Sequence, residues 1–192
     1  MKVYFSSTIK AKKVLAENFK HIYQTIEKLG HKNVSNFLLK TDPDQFYSRP
    51  TGMAKEHYRQ MLKQIQSADV VIFEVSVASL GIGYLVNRVL EMEKPVILLH
   101  TKEHKPYLFR FLKDDKLQIC EYELSNLKEV LKMALTNAKE TANVRFTFFV
   151  TPKILAFLDF VAKKKHVPRA VFLRRLIETA MKKEKFKPEN PF

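Results

Sequence analysis

Short apolar runs alternate with helical repeats along the first 140 residues. The runs predict five strands, at residues 3–6, 34–39, 69–73, 95–99 and 117–120. Apolar positions spaced three or four apart predict helices at 13–29, 53–65, 80–92 and 124–139. In the first helix the apolar side consists of Val14, Phe19, Ile22, Ile26 and Leu29. This alternation predicts an α/β fold with a doubly wound, mainly parallel sheet.

A different pattern begins after residues 140–143. Alternating residues predict a strand at 145–150, Thr151-Pro152 predicts a helix start, and helices follow at 153–165 and from Pro168 or Arg169. The apolar stripes of these helices are Ile154, Leu155, Leu158 and Val161, then Phe172, Leu173, Leu176, Ile177 and Ala180. So small a unit buries too little surface to close a core alone, so we expect it to dimerise.

These patterns divide the chain into three parts. We expect an α/β domain over residues 1–140, a strand-helix-helix module over 144–183 and a flexible tail over 184–192. The 46% of hydrophobic and 28% of charged residues are typical of a globular protein.

Cysteine and histidine usage limits the chemistry. A single cysteine, Cys120, excludes an internal disulfide, and the first residues run directly into a predicted strand, so we expect a cytoplasmic protein. The apolar runs are too short to cross a membrane. Six scattered histidines show no metal-ligand spacing with Cys120, and we therefore predict no metal and no cofactor.

Positive charge is concentrated near the end of the sequence. The net charge is +14, and residues 141–192 hold 12 lysines and arginines against 4 acidic residues. A field of this sign attracts polyanions, of which nucleic acid is the commonest. A merely solvated surface is the alternative explanation.

Candidate ligand-binding residues follow two predicted strands, because ligands of parallel sheets bind at the carboxyl ends of the strands. One segment is Tyr4–Ile9, and the other is Glu74–Tyr84, which contains two of the four glycines. Glycine allows a ligand close to the backbone, and the amides that begin a helix favour a phosphate. The alternative is a tight turn without a ligand.

The segments Tyr4–Ile9, Ser67–Ser76 and Ser79–Tyr84 resemble the 2′-deoxynucleoside 5′-phosphate N-hydrolases, relatives of the nucleoside 2-deoxyribosyltransferases. The resemblance covers roughly residues 1–125 and implies a deoxyribosyltransferase-like domain that binds a nucleoside 5′-monophosphate. By position it implies two sets of contacts: Tyr4, Ser6 and Ser7 near the sugar and base, and Ser79, Gly81 and Gly83 around the 5′-phosphate.

The same resemblance implies two catalytic carboxylates, a nucleophilic glutamate and an acid/base aspartate. Leu85 and Met61 occupy their positions here, and Phe109 falls near a serine that relatives contribute across a subunit interface. We therefore expect a degenerate catalytic site in a domain that senses a nucleotide or is purely structural. Glu74 is the remaining substitute carboxylate, although ordinary hydrogen bonding at a strand end also explains it.

Residues 144–183 resemble the ribbon-helix-helix repressors of the Arc and CopG type. That resemblance implies that two strands pair across a homodimer and enter the major groove of double-stranded DNA. Arg145 and Thr147 then face base edges, with arginine suited to guanine, and Phe149 takes a third outward position.

Two departures weaken the expected phosphate contacts of this module. His166 stands where the turn usually has glycine, and Pro168 supplies neither the hydroxyl nor the amide that usually holds a DNA phosphate. Arg169 and its basic neighbours offer replacement contacts, or else form a solvated face; the neighbours are Lys163, Lys164, Lys165, Arg174 and Arg175.

Three functions remain open at this point. The leading hypothesis is a DNA-binding homodimer, a transcriptional regulator, whose degenerate nucleotide-binding domain is a sensor or an oligomerisation unit. The alternative is an active deoxynucleoside monophosphate N-glycosidase or deoxyribosyltransferase that uses the last unit only to dimerise. A structural scaffold with neither activity is the third.

Overall fold

A computed structural model describes residues 1–46, 48, 50–112, 114–141, 149–165 and 169–184. The chain forms two compact units, Met1–Asn143 and Val144–Phe192, and each is described by itself.

The first unit contains a five-stranded sheet and six α-helices within its described residues. The strands are β1 (Lys2–Ser7), β2 (Lys32–Asn33), β3 (Val70–Glu74), β4 (Val96–His100) and β5 (Leu117–Glu121). The helices are α1 (Lys12–Lys28), α2 (Phe37–Lys40), α3 (Pro43–Phe46), α4 (Thr51–Ser67), α5 (Leu80–Glu91) and α6 (Leu127–Thr141). Short 3-10 turns lie at Ile9–Ala11 and Leu108–Phe111.

All four strand pairs are parallel, and the strand order is β2-β1-β3-β4-β5. Every residue of β3 and β4 is buried, because both strands are covered on both faces. The order reverses between β1 and β3, which places a topological switch point at their carboxyl ends. The predicted α/β class with a parallel, doubly wound sheet is thereby confirmed.

Successive strand residues enter two separate core layers, because side chains of a strand alternate between the faces of a sheet. Phe5 and Ile72 pack with α1 and α6 on one face, whereas Val71 and Leu98 pack with α4 and α5 on the other. The helical contributions include Phe19, Ile22, Ile26, Leu131 and Leu135 in the first layer, and Ile65, Ile82, Val86 and Val89 in the second.

Two details of the sequence-based prediction are wrong. The strand predicted at 34–39 is instead β2, of two residues, followed by helix α2, in which Leu38 is completely buried. The Ser35 hydroxyl accepts a hydrogen bond from the Phe37 amide, which turns the chain away from the sheet. Val14 is 72% exposed, because non-helical backbone at Leu15 changes the direction of the helix face.

The described part of the second unit consists of helices α7 (Pro152–Lys165) and α8 (Arg169–Lys183). The Thr151 hydroxyl accepts from the Ile154 amide and so caps α7. Leu158 and Val161 are buried, but most of the other apolar side chains of the two helices remain exposed: Ile154, Leu155, Phe157, Phe160, Leu176, Ile177 and Met181. Most of the strand predicted at 145–150 lies outside the described residues.

Candidate functional site

A buried carboxyl group occupies the carboxyl end of β3. Ser7 and Glu74 end β1 and β3 in register, and the Glu74 side chain is fully buried. The Ser7 hydroxyl donates to the Glu74 carbonyl at 2.8 Å and lies 3.5 Å from Glu74 Oε2. Glu74 Oε1 accepts from the amide of Ser76 at 3.2 Å and from its hydroxyl. The Ser76 hydroxyl accepts in turn from the Thr101 amide at 2.8 Å, so this Glu74 network joins the ends of β1, β3 and β4.

Burial raises the pKa of Glu74, and the hydrogen bonds from Ser76 and Ser7 lower it by less. A protonated carboxyl group fits the geometry, because the Ser7 hydrogen is already donated to the Glu74 carbonyl. The Ser7 contact with Glu74 Oε2 is long, at 3.5 Å, so it does little to stabilise the charged form. The Glu74 carboxyl group therefore joins three strand ends, and its burial favours the protonated form.

A cleft of about 690 Å³ lies beside this network, over the beginning of α5. Its walls are the segments 75–80 and 82–84 on one side and 104–109 on the other. Ser79 caps α5, since its hydroxyl oxygen lies 3.4 Å from the Ile82 amide and accepts its hydrogen. The first amides of a helix have no acceptor within the helix, so they offer donors to an anion in the cleft.

The two glycines of α5 are not required by crowding within the chain. A Cβ atom at Gly81 would lie 3.8 Å from the Ser79 hydroxyl, and one at Gly83 would lie 4.0 Å from the Phe109 ring, both ordinary contacts. Their missing side chains leave the start of α5 accessible to a ligand.

The structure separates the ligand-binding residues expected from the sequence into two groups. Ser79 and Gly83 line the cleft, and Gly81 is exposed one residue away. Tyr4, Ser6 and Ser7 are instead buried below it, at 2%, 6% and 6% exposure. Tyr4 packs in the second core layer, and its burial raises its pKa to about 12. Ser7 is engaged by Glu74.

The residues expected to contact DNA are only partly described. Arg145 and Thr147 lie outside the described residues, whereas Phe149 is fully exposed. Arg169 is exposed and forms an ion pair with Asp159 of α7. The basic side chains of Lys163, Lys164, Arg174 and Arg175 are exposed as well.

Among the described residues, no three histidine, cysteine or acidic side chains lie close enough together to hold a metal ion. Within the same ranges, every helix is too short or too polar to span a membrane.

Comparison with known proteins places the chain in a family, although no family model matches it. The putative 2′-deoxynucleoside 5′-phosphate N-hydrolase 1 of Thermofilum pendens is 31% identical over 104 residues, which are 54% of this chain and 70% of that protein. The chain belongs to the 2′-deoxynucleoside 5′-phosphate N-hydrolase family. The protein of the same name from Methanosarcina mazei is 30% identical over 101 residues, and the match spans 62% of its length.

This N-hydrolase family member also resembles a solved structure. The Clostridium botulinum CMP N-glycosidase BcmB is 21% identical and matches with a TM-score of 0.47, covering 70% of this chain and 99% of that protein.

The two family positions expected to hold carboxylates lie in apolar surroundings. Leu85 is 7% exposed on α5 in the second core layer, and Met61 of α4 packs against the same layer. Phe109 also packs there, with its ring close to Gly83. No described acidic side chain lines the cleft, and Glu74 directly precedes its first residue. This N-hydrolase family member therefore lacks a carboxylate in the cleft itself.

The opposite wall of the cleft was not predicted from the sequence. His104, Lys105, Tyr107 and Phe109 line it, yet their segment carries no motif and no regular apolar spacing. The composition of the segment does indicate a binding site, because basic and aromatic residues are interleaved there.

Replacing Glu74 with glutamine is expected to flatten the pH dependence of stability. Because the folded-state pKa is raised, the unfolded chain binds fewer protons between about pH 4.3 and that raised value. The free energy of unfolding of the wild type should therefore fall as pH rises through this range, by about 1.4 kcal/mol for each unit of the shift. Glutamine has no such proton, yet it offers one acceptor for Ser76 and one donor for Ser7.

Urea unfolding at several pH values from 4 to 7 measures this difference. The exposed residue Glu129, changed to glutamine, is the matched control and should keep the slope of the wild type. If the free energy of unfolding changes with pH in the same way for the wild type and Glu74→Gln, the buried carboxyl group does not take up a proton on folding.

Proposed function

We propose that the first unit binds a nucleoside 5′-monophosphate in the cleft beside β3. The observation that carries this proposal is the opening of the cleft onto the first turn of α5, at the carboxyl edge of a parallel sheet. Membership of the N-hydrolase family supports a nucleotide as the ligand, because the relatives are named for a 2′-deoxynucleoside 5′-phosphate.

Two kinds of residue line the cleft and suit the two parts of a nucleotide. Tyr84 and Tyr107 are 56% and 70% exposed and offer aromatic faces on which a base stacks. The amides at the start of α5 and the Ser79 hydroxyl suit the phosphate, and Lys105 adds a positive charge. A volume of about 690 Å³ lies within the roughly 300–1,000 Å³ of ligand pockets.

A negative charge at Gly83 should weaken nucleotide binding. Gly83→Asp puts a carboxylate in the cleft near the expected phosphate, and Gly83→Asn places a neutral side chain of the same shape there. Glycine in a helix is unfavourable by about 1 kcal/mol, and the site has room, so both variants should fold. Isothermal calorimetry with the 5′-monophosphates of the common deoxynucleosides should show weaker binding for Gly83→Asp, by about tenfold or more relative to Gly83→Asn.

Equal affinities of the two variants would place the phosphate away from α5. Failure of the wild type to bind any of these nucleotides would leave the first unit as a structural domain.

Hydrolysis of the N-glycosidic bond is a second candidate function of this unit. It is supported by the names of the relatives and by Glu74, which directly precedes the first residue of the cleft and whose raised pKa favours the protonated form that a general acid needs. Water then completes the reaction, giving a free base and deoxyribose 5-phosphate. Leu85 and Met61 supply no second carboxylate, so this candidate requires Glu74 to leave its hydrogen bonds with Ser7 and Ser76.

If this unit is an N-hydrolase, the wild type should release free base from a deoxynucleoside 5′-monophosphate and Glu74→Gln should not. Chromatography of the reaction products measures the release. Glu129→Gln is the control, because it removes an exposed carboxylate of α6 that does not line the cleft. Binding without base release by the wild type would favour a nucleotide sensor.

We further propose that the second unit forms a homodimer of the ribbon-helix-helix type that binds double-stranded DNA, as a transcriptional regulator does. The proposal is supported by the unburied apolar side chains of α7 and α8, which need a partner surface. It is also supported by the exposed lysines and arginines of the same helices, because contacts with DNA phosphates come mainly from such side chains. Domain limits of 1–140, 144–183 and 184–192 belong to the same proposal.

The double variant Arg145→Ala/Thr147→Ala should weaken DNA binding. Loss of a bidentate arginine contact costs about 1–3 kcal/mol, which is roughly five- to 150-fold in affinity. Titration of the protein with genomic upstream DNA over a salt series measures the affinity for DNA and its dependence on salt concentration. Lys132→Ala on the first unit is the control for the loss of one positive charge. DNA binding that is indifferent to the double variant would leave the second unit as a dimerisation module.

A further inference from the structure

A second cavity of about 380 Å³ adjoins the cleft at the carboxyl edge of the sheet. His100 and Glu121 are in register at the ends of β4 and β5, and both line it. Arg110 and Ile119 complete its wall, while Lys105 lines this cavity and the cleft alike. A ligand that extends from the cleft past Lys105 would enter the second cavity.

The second cavity has more positive than negative charge. Lys105 Nζ lies 3.6 Å from a Glu121 carboxylate oxygen, which offsets its charge. Arg110 forms no ion pair with any residue in the described part of the chain, so no carboxylate there competes with a ligand for its guanidinium group.

The ring of His100 has a fixed orientation at the base of this cavity. Its Nδ1 atom lies 2.9 Å from the Thr101 carbonyl, which only accepts hydrogen bonds, so Nδ1 carries a hydrogen and donates it. The His100 residue is 6% exposed, and Ile119 adds an apolar side chain to the wall. The side chains of Arg110 and Lys105 are exposed at this cavity, so their charges are accessible to a ligand that enters it beside the buried His100.

We propose that this basic cavity binds a second phosphate group, so that the first unit prefers a nucleoside 5′-diphosphate to the corresponding monophosphate. The inference rests on the proposed binding of a nucleotide in the cleft. A guanidinium group pairs with phosphate through two parallel hydrogen bonds, which makes Arg110 the principal partner of the second phosphate. Lys105, at the boundary of the two cavities, lies between the two phosphates.

Replacing Glu121 should change diphosphate binding in the opposite direction from replacing Arg110. Its carboxylate repels a phosphate and competes with it for Lys105. Glu121→Gln removes the negative charge and keeps the shape of the side chain, and should therefore strengthen diphosphate binding. Arg110→Ala removes the guanidinium group and should weaken it.

Calorimetry without divalent cations tests the proposal on the full-length chain, with the 5′-mono- and 5′-diphosphates of one deoxynucleoside. We expect the wild type to bind the diphosphate about tenfold more tightly than the monophosphate, as one charge-assisted contact provides. Arg110→Ala should remove this preference and keep the affinity for the monophosphate, and Glu121→Gln should increase the preference. Lys132→Ala, which removes a charge from the exposed face of α6, should behave as the wild type.

Equal binding of both nucleotides by the wild type would overturn the inference and leave the proposed function intact. A preference that survives in Arg110→Ala would also overturn it, because the second phosphate would then lie elsewhere. Binding of neither nucleotide would overturn the proposed function, and the inference with it.

Discussion

The burial of one carboxyl group where three parallel strands end determines the arrangement of the whole carboxyl edge. Glu74 and Ser7 occupy the switch point between β1 and β3, where sheets of this order usually bind their ligand. Ser76 carries the same hydrogen-bond network to β4 through the Thr101 amide. Because these groups satisfy one another, the open space lies further along the edge, between the start of α5 and residues 104–109. The position of the cleft is thus a consequence of the Glu74 network.

The sheet was predictable because its signal is local. An unbroken apolar run such as that of β3 requires cover on both faces, and helical repeats between the runs supply it. The region of α2 was not predictable in this way. Its apolar residues Phe37 and Leu38 fit a strand as well as a helix, and the turn at Ser35 that decides between them depends on one side-chain hydrogen bond. The predicted place of Val14 on the apolar side of α1 was wrong for a related reason, because the non-helical backbone at Leu15 leaves no trace in the spacing of apolar residues.

The site was predictable on one side only. Glycines close to a serine at a strand-to-helix junction are visible in the sequence, and Ser79 and Gly83 do line the cleft. Whether a residue of β1 reaches a ligand depends on strand register and on which neighbour occupies the intervening space. Tyr4 enters the core and Ser7 is held by Glu74, and neither outcome follows from the local sequence. The wall with Lys105 and Phe109 comes from an irregular segment, whose position depends on tertiary packing.

The environment of Leu85 bears on which proposed function suits the first unit better. A glutamate at this position would place a carboxyl group in a core layer formed by Val86, Phe73 and their neighbours, at a desolvation cost of several kcal/mol. A buried leucine instead contributes about 1.5–3 kcal/mol to stability. The chain thus gains stability at the position where the family resemblance implies a catalytic group. Leu85 thus contributes packing rather than a carboxylate, and the proposed hydrolysis would depend on Glu74.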